Sequence, residues 1–321
     1  MNKQTNKQTN KQTNKQTNKQ TNKQTNKQTL IVIIANIFFI FVLFLFAEFA
    51  VFYIEIKTNN IHKINPDFIL IKKKPSLDNY KKIFRKPVGL EYKNAPVLMY
   101  GCSFAYGVYL DENDRPDYIL SELTKRPVYN FSLYGEGFQQ ALYIMQNQEK
   151  ITPTPEYVIY IFHSDHIRRL YTQCDIFHTE KFLHYKSEKD KIIFDIENPH
   201  FFENTYLYRK ILQTVLPPSS YYFSKDNAYK KFKLFVENMN SEIHAKYPDT
   251  TFIFVLYDNN PNCITQKNLD DFKKSENSKF KIIYVPDILD YNPANLIWDK
   301  VHPSGHAWKT VIPEIIKNME K

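Results

Sequence analysis

The chain has 321 residues, of which 43% are hydrophobic and 16% aromatic, enough apolar side chain for one large core or two small ones. Its formal charge of +9 points toward nucleic acid only until the charge is located: seven of the 43 basic residues lie in an N-terminal repeat, and everything after it carries +2. A basic binding face on a folded body is thereby excluded, and with it a nucleic-acid partner.

Residues 2–29 are the tetrapeptide NKQT seven times over. With seven lysines, no acid and no apolar side chain, nothing in them offsets the entropy of ordering, and residues 1–29 read as a disordered tail. Asn-Lys-Gln-Thr is also what three copies of the four-base unit AACA encode. Such a tract would slip during replication and switch the reading frame, a phase-variation device of surface genes; ordinary low-complexity sequence is the alternative. Next comes "LIVIIANIFFIFVLFLFAEFAVFYI", Leu30 to Ile54, long enough at about 1.5 Å per residue to exceed a hydrocarbon core of roughly 30 Å. It reads as a single-pass transmembrane helix, with Asn36 and Glu48 as its strongly polar residues. The lysine bias toward the repeat places the N-terminus in the cytoplasm and the body in the periplasm, anchored in the inner membrane.

Residues 55–93 are polar and lysine-rich and read as a connector to a domain spanning 94–321. Strands are predicted at Ala95 to Gly101, in "RPVYNFS", at Glu156 to Phe162, Thr251 to Tyr257 and Lys281 to Pro286. Helices are predicted near Asp117 to Thr124, Phe138 to Glu149, Tyr229 to Ala245, Gln266 to Ser275 and Gly305 to Met319. Strand and helix alternating in this way predict an α/β fold, a three-layer α/β/α sandwich with a mainly parallel five-stranded sheet. Residues 170–222 break the rhythm, with many aromatics, histidines and prolines ("HFFENTYLY", "PPSSYYF"), and read as an insertion over one end of the sheet.

Chemistry concentrates in two stretches. In "VLMYGCSFAYGVYL" a serine, Ser103, directly follows a buried strand, where an open sheet presents its ligand crevice; a helix cap is the bland reading of the same serine. In "WDKVHPSGH" Asp299 precedes His302 by three residues, a spacing at which a carboxylate orients an imidazole as base. Together these stretches resemble the SGNH/GDSL family of esterases and acyltransferases over about Ala95 to Pro313. The resemblance implies a flavodoxin-like hydrolase fold, Ser103 in "GCSFAYG" as nucleophile, His302 in "DKVH" as general base and Asp299 as its partner. It further implies that the backbone N–H groups of Ser103 and of Gly135, in "NFSLYGEG", form the oxyanion hole. One block departs: where the family has Asn-Asp after the third strand, the chain has "FHSDHIRR", with Ser164 in the asparagine's place. Ser164 itself, or His163 or His166, then has to supply the missing donor, or the hole is weakened.

His166 and Arg168 are expected to contact substrate, with Arg168 and Arg169 also readable as a solvated turn. His163, His166, His178 and His184 match no metal-ligand spacing, and Gly101, Gly107, Gly135 and Gly137 match neither the dinucleotide nor the P-loop pattern, so neither a metal nor a cofactor is expected. His306 reads as a first-turn or packing residue of the last helix rather than as a second base. A Cys174 to Cys263 disulfide is possible and stays open. The expected function is an esterase or O-acyltransferase acting on ester-linked acyl groups, foremost O-acetyl groups of a cell-envelope glycan. The alternatives are a lipid esterase or thioesterase, and a catalytically weak module that binds envelope glycan among assembly partners.

Overall fold

The computed structural model describes residues 29–47, 50, 77–135, 137–171, 184–188, 190–195, 225–257, 265–290, 292 and 295–320. The expected tail before Thr29, the connector over 55–76, Cys174, Cys263 and most of the 170–222 insertion, including "HFFENTYLY" and "PPSSYYF", lie outside the described residues, as does the far end of the apolar segment apart from Ala50. Helix α1, Thr29–Ala47, is long and apolar enough to cross a membrane, as an anchor or as a signal sequence. Its apolar side chains are exposed on every face, among them Phe38 and Ile40. An apolar surface on all sides fits either kind of segment.

The body is built on β1 (Val97–Gly101), β2 (Val128–Asn130), β3 (Tyr157–Phe162), β6 (Thr251–Leu256) and β7 (Phe280–Tyr284), all pairs parallel, in the order β2-β1-β3-β6-β7. These are the five predicted strands; four are trimmed by a residue or more, and β7 starts one residue earlier and ends two earlier than predicted. Because side chains alternate across a strand, the two faces differ in chemistry. One face carries Tyr100, Tyr160, Phe162, Phe252 and Phe254, covered by α5 (Phe138–Asn147), α7 (Lys225–Lys246) and α8 (Gln266–Lys273) through Leu142, Phe232, Phe235 and Phe272. The other carries Val97, Met99, Ile159, Ile161, Ile253 and Val255, covered by α4 (Pro116–Thr124) and α9 (Gly305–Met319) through Leu120, Trp308, Val311 and Ile315. Both faces being buried explains why β3 reads as an unbroken apolar run. The three layers predicted from the alternating pattern are present.

Three features depart from the sequence reading. Short α2, Leu77–Lys81, puts Tyr80 into the core, Ile83 follows it there, and Val88 bridges to Val128, so the packed body begins well before residue 94. The apolar spacing Leu77, Tyr80, Ile83 and Phe84 is helical and is masked by the surrounding lysines. A further helix, α6 (Asp165–Tyr171), starts directly behind β3. Within the insertion, β4 (His184–Glu188) and β5 (Lys191–Asp195) form an antiparallel hairpin turning at Asp190. Asn238 on α7 ties that hairpin down, accepting the Ile192 N–H at 3.0 Å and donating to the Asp190 carbonyl at 2.8 Å.

Candidate active site

The strand order changes direction between β1 and β3, and ligands of open α/β sheets bind outside the carboxyl ends of such neighbours. Ser103 emerges there. At Gly101, φ is +151°, and a Cβ would stand 2.8 Å from both the Ala105 Cβ and the Ile161 carbonyl oxygen. Only glycine lets the chain leave β1 so abruptly and fold the four-residue helix α3 (Ser103–Tyr106) back against it. Asn130, buried at the end of β2, holds α3 in place: its Nδ2 donates to the Ala105 carbonyl at 2.8 Å, and its Oδ1 accepts the Ser132 N–H at 3.0 Å. Ser103 is consequently fixed, with 6% of its surface exposed.

From the far end of the chain, residues 295–304 form a closed loop ahead of α9. The Ile297 N–H donates to the His302 carbonyl and the Ser304 N–H to the Asn295 carbonyl, each at 2.9 Å, and Leu296 bridges to Pro303. Asp299 serves this loop twice. Its Oδ1 accepts the backbone N–H groups of Val301 (2.9 Å) and His302 (3.0 Å), while Oδ2 lies 2.5 Å from the His302 Nδ1. A carboxylate only accepts, so Nδ1 carries the proton and the Nε2 lone pair is left to face Ser103, whose Oγ is 2.7 Å away. Burial pushes the Asp299 carboxyl up, but the two backbone amides and the imidazole outweigh it and hold the group below its usual range. The buried Phe104 ring, 5.3 Å from the His302 ring, limits how far the imidazole can swing.

The other expected site residues divide. Gly135, at φ +77°, lies in the loop that runs past the end of β1, where the Leu133 N–H donates to the Gly101 carbonyl and the Tyr134 ring stacks 6.4 Å from His302. Ser164 is buried behind β3, its carbonyl accepting the Ile167 N–H in the first turn of α6. His166 does not reach the crevice, which corrects its expected role at the substrate. It is fully buried among Phe138, Tyr160 and Phe162, its Nδ1 2.8 Å from the Tyr160 hydroxyl. Burial, then the nearby Arg169 and His163, hold its imidazole well below the usual range, so it stays neutral in the core. In the helical run after β3, every third or fourth residue points inward, and 166 falls on that stripe. Arg168 lies on α6 with its side chain outside the described residues, whereas Arg169 is buried and paired with Asp165 at 2.8 Å, a structural role. His306 is exposed in the first turn of α9. Among the described residues no group of three His, Cys, Asp or Glu stands ready to hold a metal ion.

Three aromatic residues at the site escape the sequence reading, and a fourth ring, His163, has a place there that spacing could not give. His163 packs on Phe104 with ring centres 4.3 Å apart, and its Nδ1 accepts the Asp165 N–H at 3.3 Å, which leaves the ring proton on Nε2. Tyr109 and Trp298 lie 5.2 Å apart, with Tyr109 6.1 Å from the His302 ring, and Tyr134 completes the rim. Tyr109 sits at φ +61°, a conformation that costs a bulky residue about 1–3 kcal/mol. The signal available in the sequence is position alone: Tyr109 follows the serine block, Tyr134 lies in the asparagine block, and Trp298 adjoins Asp299.

No family model matches the sequence, and no curated protein matches it. Among solved structures, the chain is similar to an acetyl xylan esterase, Est2A, from the rumen bacterium Butyrivibrio proteoclasticus, at 7% identity and a TM-score of 0.43, covering 71% of this chain and 64% of that one. It thus spans less than two thirds of that esterase's length. It is also similar to a putative lipolytic protein of the G-D-S-L family from Desulfitobacterium hafniense DCB-2, at 12% identity and a TM-score of 0.42, covering 70% of this chain and 99% of that one. AlinE4, an SGNH-hydrolase family esterase, aligns at 12% identity and a TM-score of 0.39, covering 71% and 96%. Likenesses this slight carry no argument about activity, which has to rest on the residues themselves.

Proposed function

We propose that the chain is a serine esterase or O-acyltransferase of SGNH type that acts on ester-linked acyl groups, foremost O-acetyl groups of a cell-envelope glycan, through an acyl-enzyme. The observation that carries this reading is the line of hydrogen bonds from the Ser103 Oγ to His302 at 2.7 Å and from His302 to Asp299 at 2.5 Å, at the switch point of the sheet. In the proposed mechanism the Ser103 Oγ attacks the ester carbonyl while its proton passes to the His302 Nε2, and Asp299 steadies the imidazolium. The backbone N–H groups of Ser103 and Gly135 hold the oxyanion, with Ser164 or His163 as side-chain donor; His166, fully buried, drops out of that role. Collapse of the tetrahedral intermediate breaks the bond to the alcohol, which leaves with the proton from Nε2. Water or an acceptor hydroxyl then attacks the acyl-serine, giving its proton to His302, and Ser103 is regenerated. In this reading α1 anchors the chain in the inner membrane with the N-terminus cytoplasmic and the body in the periplasm, beside glycan-assembly partners.

Labelling with a fluorophosphonate followed by peptide mapping tests the site directly. The probe is expected on Ser103, and Ser103→Ala is expected to lose both labelling and hydrolysis of p-nitrophenyl acetate while melting like the parent. Full esterase activity in that variant would refute the assignment. Ser164 in the place of the family's asparagine favours one second reading, a weak module that binds envelope glycan, because one lost oxyanion donor costs about 3 kcal/mol in the transition state. Labelling of Ser103 without turnover of any ester would support that reading over the first.

A further inference from the structure

The aromatic rim beside His302 has a definite place in the reaction geometry proposed above, and its assignment rests on that esterase reading. The imidazole that takes the proton from Ser103 returns it to the departing alkoxide, so the alcohol half of the ester has to lie against the His302 side of the crevice. The carbonyl oxygen points instead to the oxyanion donors of the proposed mechanism. On the alcohol side stand Tyr109, 58% exposed, and Trp298, 76% exposed, tilted 52° to one another, with Tyr134 stacked at 24° to the imidazole. Large aromatic faces left this open to water next to a buried nucleophile offer a surface for a flat ligand. The backbone gives a second, independent sign. Gly107 already takes a left-handed conformation in this turn, yet two residues later the same region is occupied by a tyrosine at φ +61°, where glycine would sit without steric cost. Backbone strain of this kind collects at functional sites.

We infer that Tyr109 and Trp298 form a stacking platform for a pyranose ring, so that the alcohol half of the substrate is a sugar. The C–H face of a pyranose is flat and apolar while its hydroxyls project from the edge, which suits two exposed rings at the mouth of a site.

The chain has two tryptophans, and Trp308 is fully buried, so Trp298 is the exposed fluorophore. In the Ser103→Ala protein, where no turnover occurs, titration with a partially O-acetylated trisaccharide of N-acetylglucosamine is expected to quench and blue-shift the emission. The signal should vanish when Trp298→Phe is added. Tyr109→Gly is expected to weaken that binding about five- to tenfold, the equivalent of one aromatic stacking contact, while melting no lower than the parent because it relieves the left-handed strain. A structural role for Tyr109 would lower the melting temperature instead. In the Ser103-intact enzyme, Trp298→Ala should lower the ratio of kcat/KM on the acetylated trisaccharide to that on p-nitrophenyl acetate by about tenfold. No fluorescence change with the trisaccharide, or a Trp298→Ala defect that grows with acyl-chain length across p-nitrophenyl esters, overturns the platform. Absence of Ser103-dependent hydrolysis would instead strike the esterase reading and leave the fluorescence result standing on its own.

Discussion

Asp299 holds two tasks with its two oxygens, and they separate on substitution. Asp299→Asn keeps the size of the side chain but offers an amide to an imidazole that needs an acceptor, so the wrong tautomer faces Ser103. Esterase kcat is expected to fall about 10³- to 10⁴-fold. Because the Asp299 carboxyl is held below its usual range in the folded protein, its stabilising contribution is present above the ordinary carboxylate pKa of about 3.9 and is lost as pH falls through the lower, folded value. Melting temperatures between pH 2.5 and 7 should therefore drop more steeply below about pH 4 in the parent than in Asp299→Asn. Beside Ser103, Cys102 is buried and its thiol is pushed up by that burial, so it stays protonated and unreactive at neutral pH. Maleimide treatment of the native protein followed by peptide mapping should leave Cys102 unmodified, with labelling only after unfolding in urea; native labelling would make the cysteine a rival nucleophile. At this scale Ser103, Asp299 and His302 are legible in the sequence because their spacing is local or strand-bound and their chemistry specific. His166 is not, because a histidine's side of a helix cannot be assigned until the helix itself is recognised, and α6 is too short to declare itself.

The elements behind the site hold the short segment that carries Ser103. Asn130 joins the end of β2 to α3 through two buried bonds, and α3 carries Ser103. Asn130→Ala leaves the Ala105 carbonyl and the Ser132 N–H without this partner, at about 1–3 kcal/mol for each orphaned group. Urea unfolding should show a loss of that order. The kcat on p-nitrophenyl acetate, measured at a temperature where the variant is fully folded, should fall as well, since α3 is no longer pinned; unaltered kcat would restrict Asn130 to stability. The long elements are readable in advance for a physical reason. The five strands are short apolar runs bounded by turns, and α5, α7, α8 and α9 repeat their apolar residues at helical spacing. What stays hidden is short or mixed: α2 among lysines, α3 with four residues, and a β4–β5 hairpin whose strands each carry a lysine and an acid and are tied down by Asn238. Elements of that kind take their conformation from tertiary contacts, to which local pattern gives no access.

For the whole molecule, charge and apolar length together underlie the proposed placement of the body across a membrane. The seven lysines of the repeat immediately precede α1, whereas Lys57, Lys63 and Lys72 to Lys74 follow it over a longer span, and lysines close to the helix count most in fixing orientation. The bias is modest, so it ought to be sensitive to its own cause. In a bacterial host, alkaline phosphatase fused after Lys321 is expected to be active and β-galactosidase inactive. Changing the repeat lysines to glutamine should reduce the phosphatase signal, since the charge that retains the N-terminus is then gone. An antibody to the NKQT repeat settles anchor against signal sequence in the same cells. If α1 stays attached, repeat and body run as one band and remain with the membrane through alkaline carbonate washing; if it is cleaved, the body appears as a shorter, soluble band without the repeat. Active β-galactosidase at the C-terminus would place Ser103 and its partners in the cytoplasm, where they would not meet an envelope glycan. The local chemistry of the Ser103, His302 and Asp299 cluster would be untouched by that result, and the alcohol half of its substrate would have to be sought among cytoplasmic sugars.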